Sequence, residues 1–245
     1  MDNTLPCPVC NNQAAFFDTA DFNKSCEERR GIALQPTGVM IQYFRCLGCG
    51  FCFAPEFEQW TLEDFSTHIY NEDYVAVDPD YLSIRPHDNA DLLSRNFGKN
   101  KARIRHLDYG GGNGMMSELL QAEGWNSKSY DPFNDPDMQI SSLGKFNCIT
   151  AFEVFEHVPD VSVLMQNLNT LLEDKGGILF STLLSDGQLD DGTLGWWYAA
   201  PRNGHISLFS AQSLKWLGQR YGLQLRSLTN GTHLFYRDVL PDWLS

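Results

Sequence analysis

The sequence predicts an α/β fold. A doubly wound, mostly parallel sheet is followed by a C-terminal antiparallel hairpin and preceded by a small cysteine-rich segment. Three observations predict this. From about residue 101, apolar runs alternate with amphipathic segments, the pattern of βαβ units. Near the end, two β-like runs flank a Thr-Asn-Gly turn, which reads as a hairpin. Six of the seven cysteines fall within residues 1–58.

Residues 1–58 hold Cys7-Pro-Val-Cys10 and Cys46-Leu-Gly-Cys49-Gly50. Each C-x-x-C is a tight knuckle that can aim two thiolates at one ion. Two knuckles complete a tetrahedral four-sulfur shell, which suits Zn²⁺ in a non-redox setting. Redox C-x-x-C pairs sit on a βαβ pattern, which this segment lacks. Four protein ligands, Cys7, Cys10, Cys46 and Cys49, leave no open position, so the expected zinc is structural. Cys52 is the one credible substitute ligand. Cys26 and Cys148 read as buried or spare thiols. The run Glu27-Glu28-Arg29-Arg30 reads as a solvated helical face.

Residues 59–100 are acidic and carry Tyr70, Tyr74 and Tyr81 between polar neighbours. They form an expected connecting helical or cap segment, whose tyrosines either close over a ligand or pack between domains. Residues 101–245 form the expected main domain. Residues 104–109 read as a strand ending in a glycine loop. Residues 113–123 read as a helix, with Met115, Met116, Leu119 and Leu120 at helical spacing and Gly124 as its stop. Residues 127–130 form a weak strand and 146–152 a stronger one. A helix over 161–172 closes at Gly176-Gly177, and 178–184 is the next strand. Ser210 caps a helix over 210–221 that stops at Gly222. Residues 223–228 and 233–239 make the hairpin.

Composition excludes several classes. The chain has 245 residues, 42% of them hydrophobic and 13% aromatic, which argues against disorder. No stretch approaches the ~18 apolar residues of a membrane span. The first residues lack the basic and apolar regions of a secretory signal. An odd cysteine count then makes a cytoplasmic, reducing setting the default. A net charge of −13 counts against nucleic-acid or anionic-membrane partners, whose affinity rests on clustered Lys and Arg.

The sharpest signal is His106-Leu107-Asp108-Tyr109-Gly110-Gly111-Gly112-Asn113-Gly114, between a strand and a helix. Glycines at 110, 112 and 114 give G-x-G-x-G. The dinucleotide fingerprint needs glycine at 115, which is methionine, and the Walker pattern is absent. NAD-dependent chemistry is therefore disfavoured. A carboxylate just ahead of the glycines repels a diphosphate and attracts a cation. Asp131, at the end of the next strand, can accept hydrogen bonds from two ribose hydroxyls.

At this point the chain resembles the class I S-adenosylmethionine-dependent methyltransferases, which have a Rossmann-like fold. The resemblance covers about residues 101–240, through LDYGGGNG, SYDPF, FNCITAFEVFEHVPD and LLEDKGGILFSTLL. The segment WWYAAPRNGHISLFSAQSLKWLGQRYGL resembles a subgroup with an N-terminal zinc ribbon that acts on sugars and small metabolites. The resemblance implies a cofactor site of Asp108, Gly110, Gly112, Gly114, Asp131, Pro132, Phe152 and Glu153. Only 14 residues separate Asp131 from Phe146, so the usual helix and strand there must be very short. Ile140, Ser141 and Ser142 are candidates for the adenine contact.

Methyl transfer requires alignment of acceptor and sulfonium, and a base where the acceptor is an alcohol or acidic C–H. His205, in a polar glycine-bearing loop, is the leading candidate base. His157 is the second, and it shares a face with Glu153 if 153–157 turns helically. Trp196, Trp197 and Tyr198 can wall an acceptor pocket, and Arg202 can bind a carboxylate or phosphate. The expected acceptor is a small molecule, sugar- or nucleotide-linked. Two rival readings are a macromolecular methyltransferase docking through the zinc ribbon, and a non-catalytic zinc-dependent interaction module.

Overall fold

The computed structural model describes residues 4–244. In chain order its strands and helices are β1 (Thr4–Pro6), β2 (Gln13–Asp21), β3 (Met40–Cys46), β4 (Cys52–Phe53), α1 (Leu62–His68), α2 (Tyr74–Val77), α3 (Ile84–Phe97), β5 (Arg105–Tyr109), α4 (Met115–Ala122) and β6 (Asn126–Tyr130). There follow β7 (Phe146–Ala151), α5 (Val161–Leu171), β8 (Leu172–Ser181), β9 (Ser207–Leu208), α6 (Ala211–Arg220), β10 (Gln224–Ser227) and β11 (Thr232–Tyr236). The described residues divide into two compact units. One gathers the chain up to residue 79 with 155–162 and 183–217; the other holds 80–154, 163–182 and 218 onward. These divisions cross the expected cuts at 58 and 100.

The first unit is larger than a ribbon because a distant stretch completes it. Its antiparallel sheet runs β1-β2-β3-β4-β9, so Ser207–Leu208 pairs with Cys52–Phe53. Its core joins Tyr43, Phe57, Phe65 and Ile69 to Trp196, Tyr198, Ile206 and Leu208. Trp196 and Tyr198 are thus core residues of this unit, where the sequence suggested a pocket wall. The Lys24 ammonium donates to the carbonyls of Trp196 and Ala199 at 2.7 and 2.6 Å, and Leu194 N–H donates to Asp18. The run 27–30 is also less solvated than expected. It forms one turn of 3₁₀ helix in which Glu27 is buried and paired with Arg30. Helix α1 starts with a reciprocal capping box between Thr61 and Asp64, which satisfies two otherwise unpaired N–H groups.

The second unit bears out the predicted class. Its six-stranded sheet runs β10-β11-β8-β7-β5-β6. Strands β6, β5, β7 and β8 are parallel, and β11 and β10 are antiparallel. The central strand β7 is buried almost throughout, as a parallel strand covered on both faces must be. The edge strand β10 is mostly exposed and carries Arg226, a charge that discourages edge-to-edge pairing. Ala90, Leu93, Ile104, Met116, Leu120, Trp125 and Leu179 fill the core. Strand β8 begins earlier than expected, because Leu172 already pairs with Phe146 before a register shift. Between Asp131 and β7 there is one turn of 3₁₀ helix, Ile140–Leu143, and no described strand, so β6 is a sheet edge. The hairpin forms as predicted, with Leu225 opposite Phe235. Among the described residues no helix is long and apolar enough to cross a membrane.

Candidate functional site

Four parallel strands of the second unit end side by side, and the predicted cofactor residues sit at those ends. Asp108 is the penultimate residue of β5, Asp131 follows β6, Glu153 follows β7, and Ser181 ends β8. Ligands of open α/β sheets bind at this edge. Gly110, Gly112 and Gly114 all have positive φ, which explains their residue type. Gly111 is required for space: a Cβ there would lie 2.3 Å from Ser129 Oγ and 2.6 Å from Asp108 Oδ2. A Cβ at Gly112 would meet nothing within 4 Å, so that backbone faces open space. The amides of Gly110 and Gly111 donate to the Tyr130 carbonyl, tying the loop to β6.

The two acids sit in different settings. Asp108 is buried, and burial pushes its carboxyl up to about 7 despite a 2.9 Å hydrogen bond donated by the Thr150 hydroxyl. Behind it runs a polar relay. His106 Nε2 lies 2.9 Å from Thr150 Oγ1, and its Nδ1 lies 2.7 Å from Ser127 Oγ. Burial drives His106 down to about 3, so the ring is neutral, and it donates from Nε2 because the Thr150 proton goes to Asp108. A buried carboxylate so placed is a receptor for a cation. Asp131 is raised mainly by burial, although Gly112, Phe133 and Asn134 amides donate to it. Pro132 carries the chain from Asp131 to these donors.

Glu153 is the outlier of this edge. Its φ of 53° lies in the left-handed region, a state costing about 1–3 kcal/mol that clusters at functional sites. The Ser181 hydroxyl holds it there, accepting from Glu153 N–H at 2.8 Å and donating to Oε1 at 2.7 Å. This kink ends the expected helical turn over 153–157 before it starts, so Glu153 and His157 do not share a helix face. Only Phe155–His157 forms a 3₁₀ turn. Phe152 is partly buried and packs against the core of the second unit.

The remaining candidates belong to the first unit, where they form one cluster. Donor atoms of Glu156, His157 and His205 all lie within 4.8 Å of one another. The His157 and His205 ring centroids are 4.8 Å apart. His205 is 5% exposed, in contrast to the open loop suggested by its sequence. Its Nδ1 lies 2.8 Å from the Tyr198 carbonyl and therefore donates there, with Cys26 Sγ at 3.6 Å. The Tyr198 hydroxyl donates to Glu156, which is wholly buried. Tyr70 Oη lies 3.2 Å from His157 Nδ1. Gly204 makes room for that pair, since a Cβ would sit 3.0 Å from both atoms. Arg202 is not an open anion receptor: its guanidinium donates to the Ile69 carbonyl and to Asn71.

The cysteines come together as predicted. Cys7 and Cys49 Sγ are 3.7 Å apart, Cys10 and Cys46 Sγ 3.4 Å, and all four lie within 4.8 Å. Thiolates on one tetrahedral zinc stand ~3.8 Å apart, from Zn–S bonds of about 2.3 Å, so the geometry fits that ion. The Cys49 thiol hydrogen-bonds Cys7 and holds it down to about 6, while Cys49 itself is raised. Gly48 and Cys49 amides donate to Cys46 Sγ. Cys52 lies in the sheet core, outside the cluster.

Sequence reasoning missed Thr150, His106 and Ser181. Tyr70 and the Glu156-His157 pair were visible, but only folding shows that Tyr70 meets His157 and that Tyr198 meets Glu156. A family model described as a methyltransferase domain matches residues 81–228. A ubiquinone biosynthesis O-methyltransferase of Colwellia psychrerythraea is 30% identical over 92 residues, 38% of this chain and 37% of that protein. Its counterpart in Pseudomonas aeruginosa is 26% identical over 153 residues, 62% of this chain and 56% of that protein. The matches thus span about half or less of these curated relatives. A solved O-methyltransferase family protein from Burkholderia thailandensis has a TM-score of 0.49 at 13% identity, covering 74% of this chain and 63% of that one. The family model covers more than half of the chain and includes all the strand-end acids, and the chain belongs to the class I S-adenosylmethionine-dependent methyltransferase family.

Proposed function

We propose that this protein transfers a methyl group from S-adenosylmethionine to a small acceptor, with oxygen as the methylated atom. One observation carries the cofactor reading. Asp108, near the end of β5, and Asp131 and Glu153, just after β6 and β7, surround a glycine loop that lacks the phosphate-binding register. Such an edge suits a ligand with cationic groups and a ribose but no phosphate. Asp108 and Glu153 would hold the methionine part, and Asp131 with Pro132 the ribose. Gly110, Gly112 and Gly114 would let the cofactor approach the backbone, and Phe152 would flank it. The bound cofactor supplies an electrophilic methyl. His205 and His157, the two bases the sequence suggests, are the proposed acceptors of the proton, and Tyr198 holds His205 and Glu156 in place. The curated relatives, both named O-methyltransferases, support the oxygen acceptor. The sugar or nucleotide-linked acceptor rests on the resemblance of residues 196–223 alone.

Zinc on Cys7, Cys10, Cys46 and Cys49 is proposed as a structural ion, supported by the sulfur spacings and by a complete four-thiolate shell. The division of labour proposed is a zinc-pinned N-terminal part and a cofactor-binding remainder.

The test has two arms. Calorimetric titration with S-adenosylhomocysteine should show binding that Asp131→Ala weakens; unchanged affinity would refute the ribose role. Methyl-labelled S-adenosylmethionine, given with fractionated cytosolic extract, should then label the small-molecule fraction. Label in the macromolecular fraction instead would overturn the small acceptor and favour docking through the cysteine-bearing sheet. No binding at all would leave a non-catalytic module.

A further inference from the structure

We propose that Glu156, His157 and His205 form a second metal centre, separate from the cysteine cluster, which takes one divalent cation of the Mn²⁺, Fe²⁺ or Zn²⁺ type. The donor set is one carboxylate and two imidazoles with ligand atoms within 4.8 Å of one another. Two imidazoles and a carboxylate suit borderline cations, and three protein ligands leave coordination positions open for oxygen ligands. The four-sulfur cluster offers neither feature.

The outer contacts point to a metal more specifically than the cluster does. Metal-binding imidazoles hand their second nitrogen to a carbonyl, carboxylate or hydroxyl, which fixes the ring. His205 Nδ1 donates to the Tyr198 carbonyl at 2.8 Å, which turns Nε2 into the ligand atom. His157 Nδ1 lies against Tyr70 Oη at 3.2 Å, which again directs Nε2 to the ion. The Tyr198 hydroxyl donates to Glu156 Oε1 and orients that carboxylate. Tyr198 therefore positions two of the three ligands at once, through its carbonyl and its hydroxyl. Glu156 is wholly buried and His205 nearly so. The backbone is shaped for the arrangement. Gly204, at φ 84°, leaves the space that a Cβ would take from His157 Nδ1 and Tyr70 Oη.

A cation here would bind an acceptor oxygen at its open positions and lower its pKa, and solvent would take the proton, because imidazoles that hold the ion have no free lone pair. That use rests on the functional reading above. The binding of the cation does not.

The test uses the full chain with zinc in its cysteine cluster, titrated with Mn²⁺ and followed by electron paramagnetic resonance. Wild type should bind one further Mn²⁺, and pulsed spectra should show nitrogen couplings from two imidazoles. His205→Gln should remove one coupling, and Glu156→Gln should weaken binding at least about tenfold. Tyr198→Phe, which deletes only the outer hydroxyl, should weaken it about 10–100-fold. Ser181→Ala, in the other unit, should leave Mn²⁺ affinity unchanged. Wild-type protein that binds no Mn²⁺, or binds it without nitrogen coupling, overturns the proposal whatever the variants do. Mn²⁺ binding with no S-adenosylhomocysteine binding would sink the functional reading and leave the metal centre; the reverse would sink the metal centre alone.

Discussion

The strand-end acids of the second unit and the Glu156-His157-His205 cluster of the first are both polar groups buried wholly or in part, assembled in opposite ways. Each acid lies near the end of its own strand or just after it, so a few neighbouring residues determine its position. Asp108 needs only β5, the glycines after it and Thr150 on the adjacent strand. The cluster needs Tyr70, Glu156-His157 and Tyr198 to His205, three stretches far apart along the chain. The first arrangement is stabilised by parallel-strand register, the second by a core that closes only when all three stretches meet. Variants should separate the two by how each one fails.

The largest effect is expected at the cysteines. Structural zinc contributes on the order of 10 kcal/mol to small domains. Cys46→Ser should therefore strip the ion and erase hydrogen-exchange protection along β2 and β3; retained protection with no zinc would show that the sheet stands without it. Asp108 comes next, through pH. Its carboxyl titrates at about 7 in the folded protein because of burial, against about 3.9 unfolded. Between those values the folded state binds more protons, so stability should fall as pH rises from about 4 to about 7, by a few kcal/mol. Asp108→Asn should flatten that decline while abolishing S-adenosylmethionine binding. In the wild type, affinity for the cationic cofactor should climb with pH up to about 7 and level off above it, with proton release visible as buffer-dependent heat. A pH-independent affinity would remove Asp108 from the cation's contacts.

Smaller effects sharpen the contrast. Asp131→Ala should cost at least about tenfold in S-adenosylhomocysteine affinity, ~1.4 kcal/mol. His205→Ala should lower turnover by a similar factor and leave that affinity alone; a matched loss in both would mean the two regions do not act separately. Ser181→Ala should be the mildest, costing about 1 kcal/mol in a urea unfolding midpoint, since the hydroxyl that clamps the left-handed Glu153 is lost.

Legibility followed the same divide. Strand-loop-helix order, the glycine register and the acid after β6 are local patterns, and the structure places Asp108, Asp131 and the hairpin where they predict. The cysteine knuckles were equally readable, because spacing alone fixes which sulfurs can meet. What failed was anything whose neighbours lie far along the chain. Trp196 and Tyr198 look like pocket aromatics until β9 is seen to pair with β4. Arg202 looks like an anion receptor until Ile69 and Asn71 take its donors. The left-handed Glu153 has no sequence sign, since no glycine or asparagine marks the kink.

Strand β9 also has a consequence for synthesis. Phe53 pairs with Ser207, and about 150 residues must be translated between them. At roughly 5–20 residues per second, the fourth strand waits about 8 to 30 seconds on the ribosome for its neighbour. Through that interval β4 is an uncovered sheet edge, with the core residue Cys52 in it. The nearby cysteine knuckles are complete once residue 49 has emerged, so a metal ion can pin β1 to β3 long before the sheet closes.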